Sequence, residues 1–181
     1  MTVQEAIEKR RAYRALASTE ISDDLIKDLA HYASLAPSCR NKQPWRYIFI
    51  KSQEKLQEIF SALPEGNNWA LRASLVIAVY SRKDYDCVLG EREYYLFDTG
   101  MATAFLILRA TELGLVAHPI AGYNPQKAKE ILGLEQNDNL IGLIIVGKHS
   151  TDYSILTNDW QKDQEHKRPQ RMAFDEIAKI I

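Results

Sequence analysis

Apolar and polar positions divide this chain into short one-faced helices, apolar strands and one long helix. Thr2-Val3-Gln4-Glu5 has capping-box spacing and predicts a first helix running to about Arg10. Ser22 caps a second helix, with Leu25, Ile26, Leu29, Ala30 and Ala33 on one face. Pro37 and Pro44 push the residues before them toward extended geometry, so Ala36 ends that helix and Gln43 is expected extended. Trp45 to Ile50 reads as a buried strand, and Ser52 caps a helix through Phe60. Leu63 to Asn68 is a turn, and Trp69 leads into the apolar strand Leu75 to Tyr80.

Residues 81–93 are charged and polar, with Tyr85 and Cys87 among them. From about Arg92 to Leu113 the pattern is helical and apolar around most of its circumference, which predicts burial. One small domain covers such a helix with difficulty, so a second chain is the expected cover, and a monomer's central helix is the alternative. Gly114 ends it. Asn124 and Pro125 are N-cap and N1 of a short helix that Gly133 closes. Leu140 to Val146 is apolar enough for a central strand, and residues 148–166 read as polar and irregular, long enough to wrap over a neighbour.

The 181 residues suit one domain with a real core, read as 1–181. A net charge of −1 and a pI near 6.4 give no reason to expect nucleic acid. No apolar run reaches the roughly 20 residues of a membrane span, and Met1 to Arg14 lacks a signal peptide's apolar core. The expected compartment is the cytoplasm. Cys39 and Cys87 cannot make a disulfide framework, and His31, His118, His149 and His166 show no metal-ligand spacing. A phosphate loop, G-x-G-x-x-G and G-x-S-x-G are all missing from the sequence.

Candidate chemistry concentrates in the loop from Pro37 to Gln43 and in the cations from Arg10 to Arg14. Ser38, Arg40, Asn41 and Gln43 offer a hydroxyl, a guanidinium and two amides, which suit the mixed edge of a heterocycle. An ordinary surface turn has the same composition. Arg10, Arg11 and Arg14 lie at a helix C-terminus, where cations are favoured without any ligand. The same arginines offer planar forks that match phosphate oxygens.

Taken together, these motifs resemble the nitroreductase-like FMN-dependent oxidoreductase family. Its early loop reads approximately A-P-S-x-x-N-x-Q-P-W, matched by Ala36-Pro37-Ser38, Asn41 and Gln43-Pro44-Trp45. Its phosphate site, R-[RH]-S-x-[RK], is matched by Arg10, Arg11 and Arg14, with Ala12 in place of serine. The run from Asp98 through Gly100, Ala102, Leu106 and Ala110 to Leu115 resembles the family's dimer-core helix. Pro119, Ile120, Ala121 and Gly122 fit P-[IV]-x-G, with Ala121 where some members carry glutamate. Arg171 matches the arginine of the R-K-P-L-E-E-I ending, while Met172 and Ala173 depart from it.

The resemblance implies an α+β fold, a central, mostly antiparallel sheet flanked by helices and dimerised through the long helix. It implies two FMN sites at the homodimer interface, with the arginines from one subunit and the loop largely from the other. FMN contacts would come from Arg10, Arg11, Arg14, Pro37, Ser38, Cys39, Asn41, Gln43, Pro119, Ile120, Ala121, Gly122, Arg168 and Arg171. Cys39 reads as a small residue at a variable position, and His118 as a strand residue. Asn67 and Asn68 are weak flavin candidates. NAD(P)H would reduce FMN, and a nitroaromatic, quinone or activated alkene would then take the electrons in the same cleft. No side chain need act as acid or base, because the cofactor carries the chemistry. Asn41 and Gln43 would hydrogen-bond the pyrimidine edge. Dehalogenation, flavin breakdown, oxidation of peptide-derived rings and non-catalytic flavin binding are the alternative roles.

Overall fold

The computed structural model describes residues 1–181. Its centre is β7 (Asn139–His149), an apolar strand with neighbours along both edges. On one side lies β3 (Leu75–Ser81), which in turn pairs with β2 (Arg46–Ile50). On the other, β6 (Val116–Ile120) pairs with residues 143–147 of β7 and the short β1 (Leu16–Ala17) with residues 148–149. Every pairing is antiparallel. The register shifts between Val79 and Tyr80, where Val79 faces Gly142 but Tyr80 faces Leu140. Ile141 is therefore an extra residue on β7, a bulge that bends the strand.

Both faces of this sheet are covered, which is why β3 reads as a continuous apolar run rather than an alternation. Leu75, Ile77 and Val79 pack with α2 (Asp23–Ser34) and α4 (Tyr95–Glu112). Val76 and Ala78 face the other way, into a core with α3 (Gln53–Phe60), α5 (Pro125–Leu132) and Trp69. Ile77 is wholly buried; truncating such a side chain to alanine costs about 2–5 kcal/mol.

The capping signals act where the sequence puts them. Thr2 and Glu5 close a reciprocal capping box on α1 (Val3–Lys9). Ser22, Ser52 and Asn124 accept from the backbone of Leu25, Lys55 and Lys127. Gly133 ends α5 at φ 65, in the left-handed region that glycine enters without strain.

Several expectations are corrected. Gln43 is not extended: its φ is +49, held by Ser38 Oγ, which accepts from its N–H, and by Arg46, which donates to its carbonyl. The long helix starts at Tyr95, because Arg92–Glu93 instead forms β5 of a hairpin with β4 (Val88–Leu89). Within the single chain its circumference is left partly open, with Leu96, Phe97 and Phe105 45%, 64% and 42% exposed, in line with the difficulty of covering it in one small domain. The polar stretch after β7 contains an unexpected helix, α6 (Asp159–His166). A last turn, α7 (Phe174–Ile177), lies in the tail. No helix is long and apolar enough to cross a membrane.

Candidate functional site

The C-terminal end of α1 collects guanidinium groups. Arg10 caps the helix, and the tail brings Arg168 against it, donating to the carbonyls of Glu8 and of Arg10, the latter at 2.7 Å. The carbonyl end of a helix attracts a cation, and Arg168 completes it as a backbone clamp. Arg11 donates to Gln164 O at 2.9 Å, on α6. Arg14 stacks its guanidinium 4.8 Å from the Trp160 ring centre and 5.9 Å from that of Trp69, cation–π distances for both rings.

None of Arg10, Arg11, Arg14, Arg168 or Arg171 forms an ion pair with a carboxylate. Burial holds the Arg10 guanidinium below its ordinary pKa, and Arg168, Arg171 and Arg11 push it the same way. Burial also lowers Arg14, opposed by the charge of Glu165. Glu165 spends Oε1 on the Arg14 backbone N–H at 2.7 Å and faces His149 at 3.3 Å. Arg10 is thus a partly desolvated cation among other guanidinium groups, with no carboxylate paired to it.

β6 runs beside this cluster. His118 is buried, donates from Nδ1 to Tyr13 O at 3.0 Å and stacks on Trp69 with ring centres 4.6 Å apart. Burial depresses its pKa from 6.5 to about 4, with Arg14 and Arg10 pushing the same way, so it is neutral near pH 7. Beyond it, Pro119, Ile120 and Ala121 line an open, largely apolar groove of about 360 Å³ with Val79, Thr99 and Thr103. The Thr99 hydroxyl is buried without a partner. Asn67 donates to Gly122 O at 2.7 Å and accepts from Trp69 Nε1 at 3.2 Å. A Cβ on Gly122 would meet Asn67 Nδ2 at 2.9 Å, so glycine there permits the clasp.

The loop 37–43 forms a separate group. Arg40, Asn41 and Gln43 have φ of 51°, 55° and 49°, left-handed values that cost non-glycine residues energy, least for asparagine. The surroundings over-determine this shape. Asp98, buried in the first turn of α4, accepts from Cys39 N–H at 2.6 Å. Ser81 Oγ donates to Pro44 O at 2.8 Å. Cys39 is disulfide-bonded to Cys87, which lies between the turn Lys83–Tyr85 and β4. Cys39 is thus a cross-link, not merely a small residue at a variable position. Ser38 uses its hydroxyl within the loop, whereas Pro37, Asn41 and Gln43 stand exposed.

Residues 7–68 and 63–148 match the profile of the Nitroreductase family. The chain belongs to the nitroreductase family. A relative in Archaeoglobus fulgidus, named "Putative NADH dehydrogenase/NAD(P)H nitroreductase", is 27% identical over 166 residues, covering 87% of this chain and 92% of its own. The crystal structure of a nitroreductase family protein from Clostridium difficile 630 matches at TM-score 0.79 and 25% identity, over 99% of this chain and 98% of that one. A crystal structure described as an oxidoreductase containing FMN matches at TM-score 0.84 and 26% identity, over 98% and 91%. The sheet and helices described above are the nitroreductase fold.

In this family member, the structure brings Arg10, Arg11, Arg14 and Arg168 together, with Arg171 close enough to repel Arg10. It gathers Pro119, Ile120 and Ala121 on the groove, with Gly122 clasped by Asn67. No hydrogen bond, ion pair or ring contact within the chain joins the loop 37–43 to the arginines. Sequence reasoning missed Thr99, Asp98 as the loop's anchor, and Trp160 as a stacking partner of Arg14. Trp160 lies in the polar stretch where no periodicity flagged a helix.

Proposed function

We propose that the chain is a single FMN-binding unit, 1–181, of a cytoplasmic homodimeric oxidoreductase that takes electrons from NAD(P)H and passes them to an electron-poor acceptor. The observation that carries this reading is the set of arginines at the end of α1, none of which forms an ion pair with a carboxylate. A flavin mononucleotide phosphate supplies the missing negative charge, and arginine forks fit its oxygens. The name of the FMN-containing neighbour supports the same cofactor.

When bound, FMN supplies the two-electron redox chemistry. The chain's own residues bind and orient. Arg10, Arg11, Arg14 and Arg171 hold the phosphate end, and Arg168 keeps the helix end rigid beneath them. Pro119, Ile120, Ala121 and Gly122 offer close backbone approach, and Thr99 backs the groove wall with its hydroxyl buried and unpartnered. Asn41 and Gln43 present side-chain amides beside Pro37 and Ser38 on a strained, braced loop, suited to the polar edge of a flavin ring. His118 is neutral and committed to Tyr13 O, so it moves no proton at neutral pH.

The exposed apolar residues of α4, Leu96, Phe97 and Phe105, support a homodimer built on that helix. Each loop would then serve the partner's arginines, which agrees with the two groups being unlinked inside one chain. Nitroaromatics, quinones and activated alkenes are the proposed acceptors. The test is anaerobic mixing of purified protein with NADH or NADPH, followed by an acceptor. Rapid bleaching of flavin absorbance and its return on adding acceptor support the reading; a flavin that NAD(P)H does not reduce leaves a binding protein.

A further inference from the structure

The Cys39–Cys87 bridge joins the strained loop 37–43 to the segment between β3 and α4, across 48 residues of sequence. Two acids lie beside it. Asp86 is 8% exposed, and one of its carboxylate oxygens and both sulfurs lie within 4.8 Å of one another. Its Oδ1 accepts from Cys87 N–H at 2.7 Å, while Oδ2 is buried without a partner. Asp98, 2% exposed, holds the N–H of Cys39. A buried carboxylate oxygen left unpartnered beside a disulfide sits where a proton is needed when a thiolate leaves.

We propose that Cys39–Cys87 is a reversible thiol–disulfide exchange site for a dithiol reductant, with Asp86 as its proton carrier, and that its redox state locks or releases the loop 37–43. A thiolate of the dithiol attacks Cys39 Sγ, on the less buried of the two cysteines. A new S–S bond forms, the Cys39–Cys87 bond breaks, and Cys87 leaves as a thiolate that takes the proton of Asp86. The reductant's second thiolate then attacks its own sulfur in the mixed disulfide and releases Cys39, which takes a proton from solvent. The dithiol's own two thiol protons go to solvent, which reprotonates Asp86. Two electrons pass from the dithiol to the bridge: the dithiol ends as a disulfide, the protein as two thiols.

Burial raises the Asp86 carboxyl above its ordinary value, the Cys87 N–H opposes this, Asp98 adds to the rise and Lys42 works against it. A raised carboxyl keeps its proton closer to neutral pH, as a proton donor must. In a reducing compartment, protein disulfides are usually catalytic or redox-sensing. Once the covalent tie is gone, Arg40, Asn41 and Gln43 keep their left-handed geometry only through hydrogen bonds, and the loop relaxes. The effect on FMN rests on the function proposed above; the bridge chemistry and the loop's order do not.

The purified full chain, prepared without reductant, is treated with dithiothreitol, trapped with an alkylating agent and weighed, and amide exchange of 38–43 is followed in both forms. The expected result is a bridge that reduces and reforms, with faster exchange at 38–43 only when reduced. Cys87→Ser should exchange like the reduced wild type without reductant. Asp86→Asn should slow reduction at pH 6 by roughly tenfold, below the usual hundredfold or more of a general acid because water can partly replace it. Unbridged thiols in air-equilibrated protein, equal exchange in both forms, or unchanged reduction of a folded Asp86→Asn protein would each overturn the proposal. FMN titration of both forms separates the two readings. Weaker FMN binding by the reduced form supports both, whereas no binding by either form, with the exchange contrast intact, supports the latch and sinks the flavin reading alone.

Discussion

Arg10→Ala should change flavin affinity and stability in opposite directions. The Arg10 side chain makes no hydrogen bond or ion pair within the chain, and it is held against Arg168, Arg171 and Arg11. Removing it from the ligand-free protein relieves repulsion and loses little packing. For partly exposed charges this relief is small, so melting should stay level or rise by up to about 2 °C. With FMN bound, the same change removes a charge-assisted contact to phosphate, costing about 1.5–3 kcal/mol, or roughly 10- to 150-fold in Kd. Riboflavin has no phosphate and should bind the variant about as well as it binds the wild type. Flavin fluorescence titrations with both ligands, beside thermal melts of the flavin-free protein, read all three quantities. Equal weakening of FMN and riboflavin, or a flavin-free variant destabilised by more than about 1 kcal/mol, would show that Arg10 is a structural residue.

His118 predicts an acid-sensitive step. Its pKa falls from 6.5 unfolded to about 4 folded, so its contribution is complete above pH 6.5 and lost as pH drops toward 4, on the order of 3 kcal/mol in all. Urea midpoints across that window should therefore fall for wild type and fall less for His118→Gln, which keeps a donor for Tyr13 O. Asn67→Ala breaks the clasp on Gly122 and the acceptor for Trp69; it should cost about 1–3 kcal/mol in denaturant titrations and loosen flavin binding. Phe97→Asp places a charge on the exposed side of α4, and sedimentation should then show monomer with little bound flavin, whereas an unchanged dimer would move the interface elsewhere. Gln43→Leu should slow anaerobic flavin reduction by roughly tenfold while weakening oxidised FMN less, because its amide serves charge that develops on transfer. Double-reciprocal plots for NAD(P)H and acceptor should be parallel, as ping-pong exchange in one cleft requires.

Where local chemistry decides structure, the sequence was readable. Ser22, Ser52 and Asn124 cap helices by side-chain bonds that span three residues, and Leu75 to Tyr80 is apolar on both faces because both are covered. Gln43 escaped because the bias before proline is toward extended geometry, and tertiary bonds from Ser38 and Arg46 overrode it. The α6 helix escaped because its buried residues, Gln161 and Glu165, are polar and give no apolar period. At the site, arginine spacing and the Pro37–Gln43 composition were legible, since short motifs carry their own chemistry. Arg168's bonds to backbone carbonyls, the Cys39–Cys87 bridge and the free Thr99 hydroxyl were not. Each depends on residues far apart in sequence that only the folded sheet and helices bring together.

The most direct test of the central claim is the absorption spectrum of the purified protein, with identification of whatever flavin it releases on denaturation. The account predicts a yellow protein carrying FMN in proportion to its chains, bleached by NAD(P)H without oxygen. A colourless protein that stays colourless after incubation with FMN and gel filtration would contradict it.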